Sequence, residues 1–298
     1  MLSNKTQEVS RMKHTRLLAF ILCLILCVPV CALSEDTANL ATPAMDMSLE
    51  QAAKEGLLDE SVLEEFVSEP FIPENVEKAV FGADDRKSVN PAQYPYSAIA
   101  YMCVEASCGC GWTGTGFMVS RYGLMTAAHC IVCTTHGKTA NKITLYFGYR
   151  SSKDYSYHYN GATTYWYGTD FKNADGTYGY NGHTAWDYAY VLLQSPMGDK
   201  TGWFGTQARS DSHIKQDVYE VAGYRDGVLK TSKGMLTPHN DKELKYNIDT
   251  EPGYSGCPVF DATNYAVAIN VAHTSTHNFA RRIDIPLKVE MRKNGLFD

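Results

Sequence analysis

The chain has no clustered basic excess, no internal repeat, no low-complexity tract and no long helical periodicity between Ala79 and Ile285. Each absence removes a class of protein. A nucleic-acid surface needs grouped Lys and Arg, whereas the formal net charge here is −6. Alternating βαβ units need amphipathic helices between strands, and the pattern does not supply them. The apolar run Leu17–Val30 is shorter than the ~18–20 residues that a membrane-spanning helix requires. It follows Lys13, His14 and Arg16 and ends near Val30-Cys31-Ala32, small residues of the kind that a signal peptidase reads. Residues 1–32 therefore read as a secretory signal peptide, with Met12 a start that gives it the more usual length. The chain is expected to be secreted, with no stable membrane anchor once that segment is removed.

What remains divides sharply by charge. Residues 33–78 carry twelve Asp/Glu against two Lys, while residues 79–298 carry twenty-one Lys/Arg against twenty Asp/Glu. The acidic stretch contains a capping-box pattern at Ser48-x-x-Gln51, then Leu49, Ala52, Ala53 and Leu57 at helical spacing, and it is closed by Pro70 and Pro73. It reads as a pro-segment; a disordered acidic linker has the same composition.

Three of the nine cysteines lie within the signal peptide, leaving Cys103, Cys108, Cys110, Cys130, Cys133 and Cys257. An even number in an exported chain favours disulfides. Cys108-x-Cys110 and Cys130-x-x-Cys133 also have the short spacing of zinc ligands. In an oxidising compartment the expectation is disulfides and no metal, with pairings open.

From Ala79 onward, short runs rich in Val, Ile, Tyr, Phe and Thr alternate with turn residues. Strands are expected at Ala98–Val104, Gly116–Ser120, Ile143–Tyr149, Tyr188–Leu193, Val218–Val221, Tyr246–Asp249, Cys257–Phe260 and Tyr265–Ala272. Many short strands with frequent turns indicate an all-β barrel or sandwich. Tyr155–Tyr180 reads as long loops or hairpins. Pro286–Lys293 fits a short C-terminal helix or a last strand.

Three stretches carry chemistry. In Gly253-Tyr254-Ser255-Gly256-Cys257-Pro258, a serine sits on a tight turn before an apolar run, and the N–H groups of Gly253 and Ser255 are placed to hold an oxyanion. In Thr126-Ala127-Ala128-His129-Cys130, small residues present one imidazole at the end of an apolar segment. In Trp186-Asp187-Tyr188, a carboxylate stands at the mouth of an apolar strand, where burial demands a donor. A serine hydroxyl needs a base to become a nucleophile, and an imidazole serves best when a carboxylate fixes its tautomer. The order His129, Asp187, Ser255 has that logic. An α/β-hydrolase elbow is excluded, because Cys257 replaces its second Gly and its Asp and His must follow the Ser.

The histidine stretch resembles the histidine signature of trypsin-like serine proteases. Val80-Phe81-Gly82-Ala83-Asp84-Asp85-Arg86 with Tyr94-Pro95-Tyr96-Ser97-Ala98-Ile99, Tyr246-Asn247-Ile248-Asp249-Thr250 before the serine turn, and Ala272-His273-Thr274 with Arg281-Arg282-Ile283 are similar to segments of the bacterial glutamyl endopeptidases. The resemblance covers roughly residues 79–298. It implies a two-barrel chymotrypsin-like fold, with barrels at about 79–195 and 200–285 and a helix at about 286–295. It also implies a zymogen cleaved near Lys78-Ala79 by an activating protease, with Ala79 as the new terminus, and a monomer that acts on protein or peptide substrates without a cofactor.

Three departures stand out. Tyr254 occupies the place of the Asp that traps the new terminus in trypsin, so that activation route is not expected. The usual partner of the Cys after the histidine is missing near Gly114, and Cys257 is an unusual neighbour for the nucleophile. For specificity, Thr250 and His273 match the acid-binding pair of the glutamyl family and favour cleavage after Glu or Asp. Asp249, six residues before Ser255, offers the alternative of a trypsin-like pocket for Lys or Arg. A protease fold that serves only as a binding module is the non-enzymatic alternative.

Overall fold

A computed structural model describes residues 86–162, 164–171, 184–274 and 276–297. The expected signal peptide, the acidic pro-segment and the terminus at Ala79 lie outside the described residues. A short β1 (Lys87–Ser88) leads in. The first sheet then runs through β2 (Ile99–Ala106), β3 (Gly111–Met118), β4 (Gly123–Thr126), β5 (Val132–Cys133), β6 (Lys138–Phe147), β7 (Tyr157–Ala162), β8 (Tyr165–Tyr167) and β9 (Ala189–Leu192). After the one-turn helix α1 (Gly198–Thr201) come β10 (Gly205–Thr206) and the one-turn helix α2 (Asp211–Ile214). The second sheet continues with β11 (Val218–Arg225), β12 (Val228–Asn240), β13 (Glu243–Tyr246), β14 (Pro258–Phe260), β15 (Tyr265–His273) and β16 (Asn278–Arg282), and α3 (Ile285–Lys293) follows.

The first sheet has the order β5-β6-β2-β3-β4-β9-β8, with β7 added on β6. In the second, β12-β11-β14-β15-β16-β13 closes on itself because β13 also pairs with β12. Closure removes the sheet edges that invite association. The two barrel-like sheets expected from the sequence are thus present, and α3 occupies the helix expected near the C-terminus. The fold is all-β with few helical residues.

Local chemistry accounts for these elements. Along β2 the inward residues Ala100, Met102, Val104 and Ala106 alternate with Tyr101, Cys103 and Glu105, the period of a strand with one face in a core. The longest strand, β12, has no such signature: Lys230, Lys233, Gly234 and Pro238 give it a loop-like texture. It forms because it pairs with β11 along Val228–Met235 and then turns onto β13 at Leu236–Asn240. Pairing supplied by neighbours overrides local preference. β7 and β8 emerge from the tyrosine-rich stretch. Tyr165 and Tyr167 are buried as packing residues, and Tyr165 donates its hydroxyl to the Ala140 carbonyl at 2.6 Å.

Helix α3 begins where the Asp284 side chain accepts the Leu287 N–H at 2.9 Å, and it ends before Gly295, whose φ is +75°. Its buried Glu290 accepts hydrogen bonds from the Tyr188 and Tyr190 hydroxyls, each at 2.9 Å. Burial raises the Glu290 carboxyl above its ordinary range, and the two phenols hold it down only in part. The C-terminal helix is thereby fastened to the segment that runs from Asp187 into β9. Replacing Glu290→Ala strands two buried phenols and is expected to cost about 2–4 kcal/mol. Urea unfolding of the two proteins measures it, and a loss below about 0.5 kcal/mol contradicts the fastening role.

Candidate active site

Asp187 is fully buried, and His129 satisfies it twice. The His129 backbone N–H donates to Oδ1 at 3.0 Å, and Nδ1 lies 2.7 Å from Oδ2. The sheet brings the two together, since β4 pairs with β9 so that Thr126 faces Ala189 just before and just after them. His129 sits in a single 3₁₀ turn, Ala128–Cys130. Ala127 and Ala128 are wholly buried there, and larger side chains would push the turn away from β9. Burial works against a charged imidazole, yet the Asp187 carboxylate, with a further contribution from Cys130, outweighs it, and His129 is held well above its ordinary value.

The serine turn is built so that two amides remain unspent. The N–H of Tyr254 goes to the Glu251 carbonyl, that of Gly256 to Asn270 and that of Cys257 to Tyr254. Among the described residues the N–H groups of Gly253 and Ser255 have no acceptor. Gly253 has φ +103°, and a Cβ there would stand 2.6 Å from the Tyr224 carbonyl oxygen, so only glycine fits.

Thr115, in β3 of the other sheet, fixes the turn. Its Oγ1 donates to the Gly253 carbonyl at 2.9 Å and accepts the Tyr224 N–H at 3.0 Å, and its own N–H donates to the Ser255 carbonyl at 2.9 Å. The Thr115 carbonyl accepts the Thr126 hydroxyl at 2.7 Å, which ties the histidine segment to the same residue. From the other side, Asn270 Nδ2 donates to the Tyr254 carbonyl at 3.1 Å. The sequence reading missed both residues. The signal for Thr115 was available as a lone polar residue between Gly114 and Gly116 on an apolar strand; Asn270, inside the apolar run of β15, was a similar anomaly.

Ser255 is half-buried and shares a cavity of about 560 Å³ with His129, Thr250, Glu251, Gly253, His273 and Phe279. The structure therefore brings together His129, Asp187, Ser255, Gly253, Thr250 and His273. Thr250 donates its hydroxyl to Asn278 Oδ1 at 2.9 Å, and His273 is exposed at the end of β15. Asp249 does not line that cavity: its side chain is 67% exposed, lies 3.6 Å from Arg86, and lines a smaller adjoining cavity that Thr250 and His273 also border. Glu251 forms ion pairs with Arg86 and with Arg225, a linkage that motif reading did not reveal.

The three departures have physical explanations. Tyr254 is fully buried in the second barrel, where its ring lies against Gly223, at which a Cβ would come 2.7 Å from the ring. A Cβ on Gly114 would stand 2.8 Å from Cys130 Sγ, so the position of the missing partner faces Cys130 directly. Cys257 is fully buried, and burial pushes its thiol well up, so it packs as a small apolar group and does not compete as a nucleophile. The expected disulfides are not formed in this structure, where all six described cysteines are free thiols.

Residues 114–269 match the trypsin-like peptidase domain, a span that runs from the strand of Thr115 through the segments of His129, Asp187 and Ser255. The chain belongs to the trypsin-like peptidase domain family. This trypsin-like chain is 31% identical over 192 residues to the glutamyl endopeptidase of Bacillus licheniformis, covering 63% of this chain and 56% of that protein. It is 29% identical over 219 residues to an extracellular metalloprotease of Bacillus subtilis, covering 69% and 66%. It thus spans a little over half to two thirds of these relatives. Among solved structures, a Glu endopeptidase in complex with MPD aligns with TM-score 0.59 and 21% identity, over 72% of this chain and 99% of that one. The protease Anisep from Arthrobacter nicotinovorans aligns with TM-score 0.57 and 16% identity, over 70% and 98%. These two likenesses show the fold.

The charge relation in the pair gives a direct test. With Asp187→Asn the carboxylate attraction on His129 is lost while burial and the Cys130 contribution remain, so the imidazole is expected to titrate at a clearly lower pH than in the unsubstituted chain. Following the His129 ring proton by NMR against pH checks this, and an unchanged titration contradicts the assignment.

Proposed function

We propose that this chain is a serine endopeptidase that cleaves peptide bonds after Glu, or after Asp. The observation that carries the reading is the arrangement of His129 paired to a buried Asp187, with Ser255 in the same cavity and two unspent amides at Gly253 and Ser255. In the reaction His129 takes the Ser255 proton as the hydroxyl attacks the carbonyl carbon, and Asp187 holds the imidazole in the productive tautomer and stabilises its charged form. The amides of Gly253 and Ser255 receive the oxyanion. His129 then returns the proton to the leaving amine, and water releases the acyl group by the same steps.

The preference for an acidic side chain rests on His273 and Thr250, which line the cavity beside Ser255; the imidazole suits a carboxylate, and the Thr250 hydroxyl would turn from Asn278 to donate to it. Asp249 gives the Lys/Arg alternative little support, because it is exposed, engaged with Arg86, and borders the adjoining cavity and not the one that holds Ser255. Similarity to a relative named glutamyl endopeptidase points the same way. The reading extends to a secreted, monomeric zymogen activated by another protease at Lys78-Ala79. Its support is the leader and acidic segment in the sequence, together with the extracellular relative. Among the described residues no helix is long and apolar enough to cross a membrane.

Kinetics on the processed chain test the proposal. Ser255→Ala is expected to lower kcat on a Glu-containing chromogenic peptide by about 10⁶-fold. The unsubstituted protein should cleave after Glu at least about tenfold faster than after Arg, and His273→Ala should narrow that ratio. Retained activity in Ser255→Ala contradicts the mechanism. A strong Arg preference transfers the specificity role to Asp249.

A further inference from the structure

Away from the catalytic cavity, two turns of the first sheet converge on a cluster that the peptidase chemistry leaves unused. The β2–β3 turn presents Cys108 and Cys110, and the β5–β6 turn presents Cys133 and His136. The three thiols and the imidazole nitrogen all lie within 4.8 Å of one another. His136 Nδ1 is 3.3 Å from Cys110 Sγ and 3.5 Å from Cys133 Sγ. The geometry points to a structural zinc site of Cys₃His type, formed by Cys108, Cys110, Cys133 and His136.

Tetrahedral zinc with Zn–S near 2.3 Å and Zn–N near 2.0 Å sets its ligands about 3.5 Å apart for S···N and about 3.8 Å apart for S···S. The two sulfur–nitrogen distances already lie at that spacing. The backbone of both turns is shaped to present the ligands. Gly109, at φ +81°, reverses the chain between the two thiols of the first turn, and the Ala106 N–H closes it on the Cys110 carbonyl at 2.9 Å. In the second turn Gly137, at φ +63°, donates its N–H to the Cys133 carbonyl at 2.7 Å, which brings His136 back over Cys133.

The ligand count separates this reading from a disulfide. One disulfide joins two thiols and leaves the third beside an imidazole, whereas one zinc ion engages all four groups. The three remaining cysteines lie outside the cluster: Cys103 is on β2, Cys130 directs its thiol at the Ser255 carbonyl, 3.4 Å away, and Cys257 lies in the second core. The sequence spacing had set Cys130 beside Cys133 as a ligand pair, and the structure puts His136 in that place. Soft thiolates with one imidazole in a tetrahedral set select zinc over harder cations. Four protein ligands leave no open position for water, so the site is structural. Its effect is to fasten the β5–β6 turn to the β2–β3 turn, four residues beyond His129, and so to hold the base of the segment that carries the catalytic imidazole.

The test reads metal directly and does not depend on peptidase activity. Full-chain protein without a polyhistidine tag, produced in zinc-supplemented medium, is analysed by inductively coupled plasma mass spectrometry and by zinc-edge X-ray absorption. The expected result is one zinc ion per chain, with three sulfur ligands at about 2.3 Å and one nitrogen ligand at about 2.0 Å. Cys110→Ser and His136→Ala should each lower zinc content at least about tenfold under dialysis, as loss of one of four ligands weakens a structural site. Cys103→Ser, which removes a thiol on β2 outside the cluster, should leave it unchanged. The absorption spectrum of the unsubstituted chain decides the matter even if a variant fails to fold. A metal-free preparation whose peptide map links any two of Cys108, Cys110 and Cys133 overturns the proposal. Free thiols that take up no zinc, or a preferred metal other than zinc, overturn it equally.

Discussion

A carboxylate with no solvent contact is the constraint around which the first sheet is arranged. Asp187 cannot be buried in charged form without donors, and the only donors that it takes from the histidine segment are the backbone N–H and the ring of His129. Meeting that demand fixes the 3₁₀ turn at Ala128–Cys130, requires alanines on its inner side, and needs the β4–β9 pairing to hold register to within a residue. The chain continues from Asp187 through Tyr188 into β9, and the Tyr188 and Tyr190 hydroxyls donate to Glu290 of α3. The last helix of the chain therefore supports the position of the carboxylate, although it lies far away in sequence.

The second requirement is that the serine turn keep its amides free while its carbonyls are engaged. An unpaired polar group costs free energy when buried, so a turn with two open N–H groups needs compensation nearby. Thr115 supplies it by bonding to both the Gly253 and Ser255 carbonyls, and Asn270 bonds to the carbonyl between them. Thr115 is also bonded to Thr126 and to Tyr224, so one residue of the first sheet sets the histidine segment, the serine turn and a strand of the second barrel against one another. The active cavity between the sheets is organised by this contact as much as by the triad. Its order comes from buried hydrogen bonds, which suits donors that must be aimed before charge develops.

Much of this was legible in the residues, for identifiable reasons. Alternation in β2 and the apolar runs of β14 and β15 betrayed strands because one face of each is buried. His129, Asp187 and Ser255 stood out in the sequence because each lies in a short segment whose neighbours are small or apolar. Strand β12 did not, because its lysines, glycine and proline are accommodated by partners on both sides and leave no period of their own. The segment after Tyr246 read as a strand, yet β13 ends at that residue and the chain turns outward towards Asp249. Spacing alone did not show the surroundings of Asp249: it stands six residues before Ser255, and the structure leaves it exposed beside Arg86. Thr115 escaped notice because its role depends on groups more than a hundred residues away.

The central claim is that Ser255 is the one activated nucleophile, made so by His129 and the buried Asp187. The most direct measurement is to label the processed chain with a fluorophosphonate and locate the adduct by peptide mass mapping. The account predicts a single adduct on Ser255, formed about 10⁴-fold more slowly in Asp187→Asn. An absence of labelling, an adduct on another residue, or equal rates in the two proteins would contradict it.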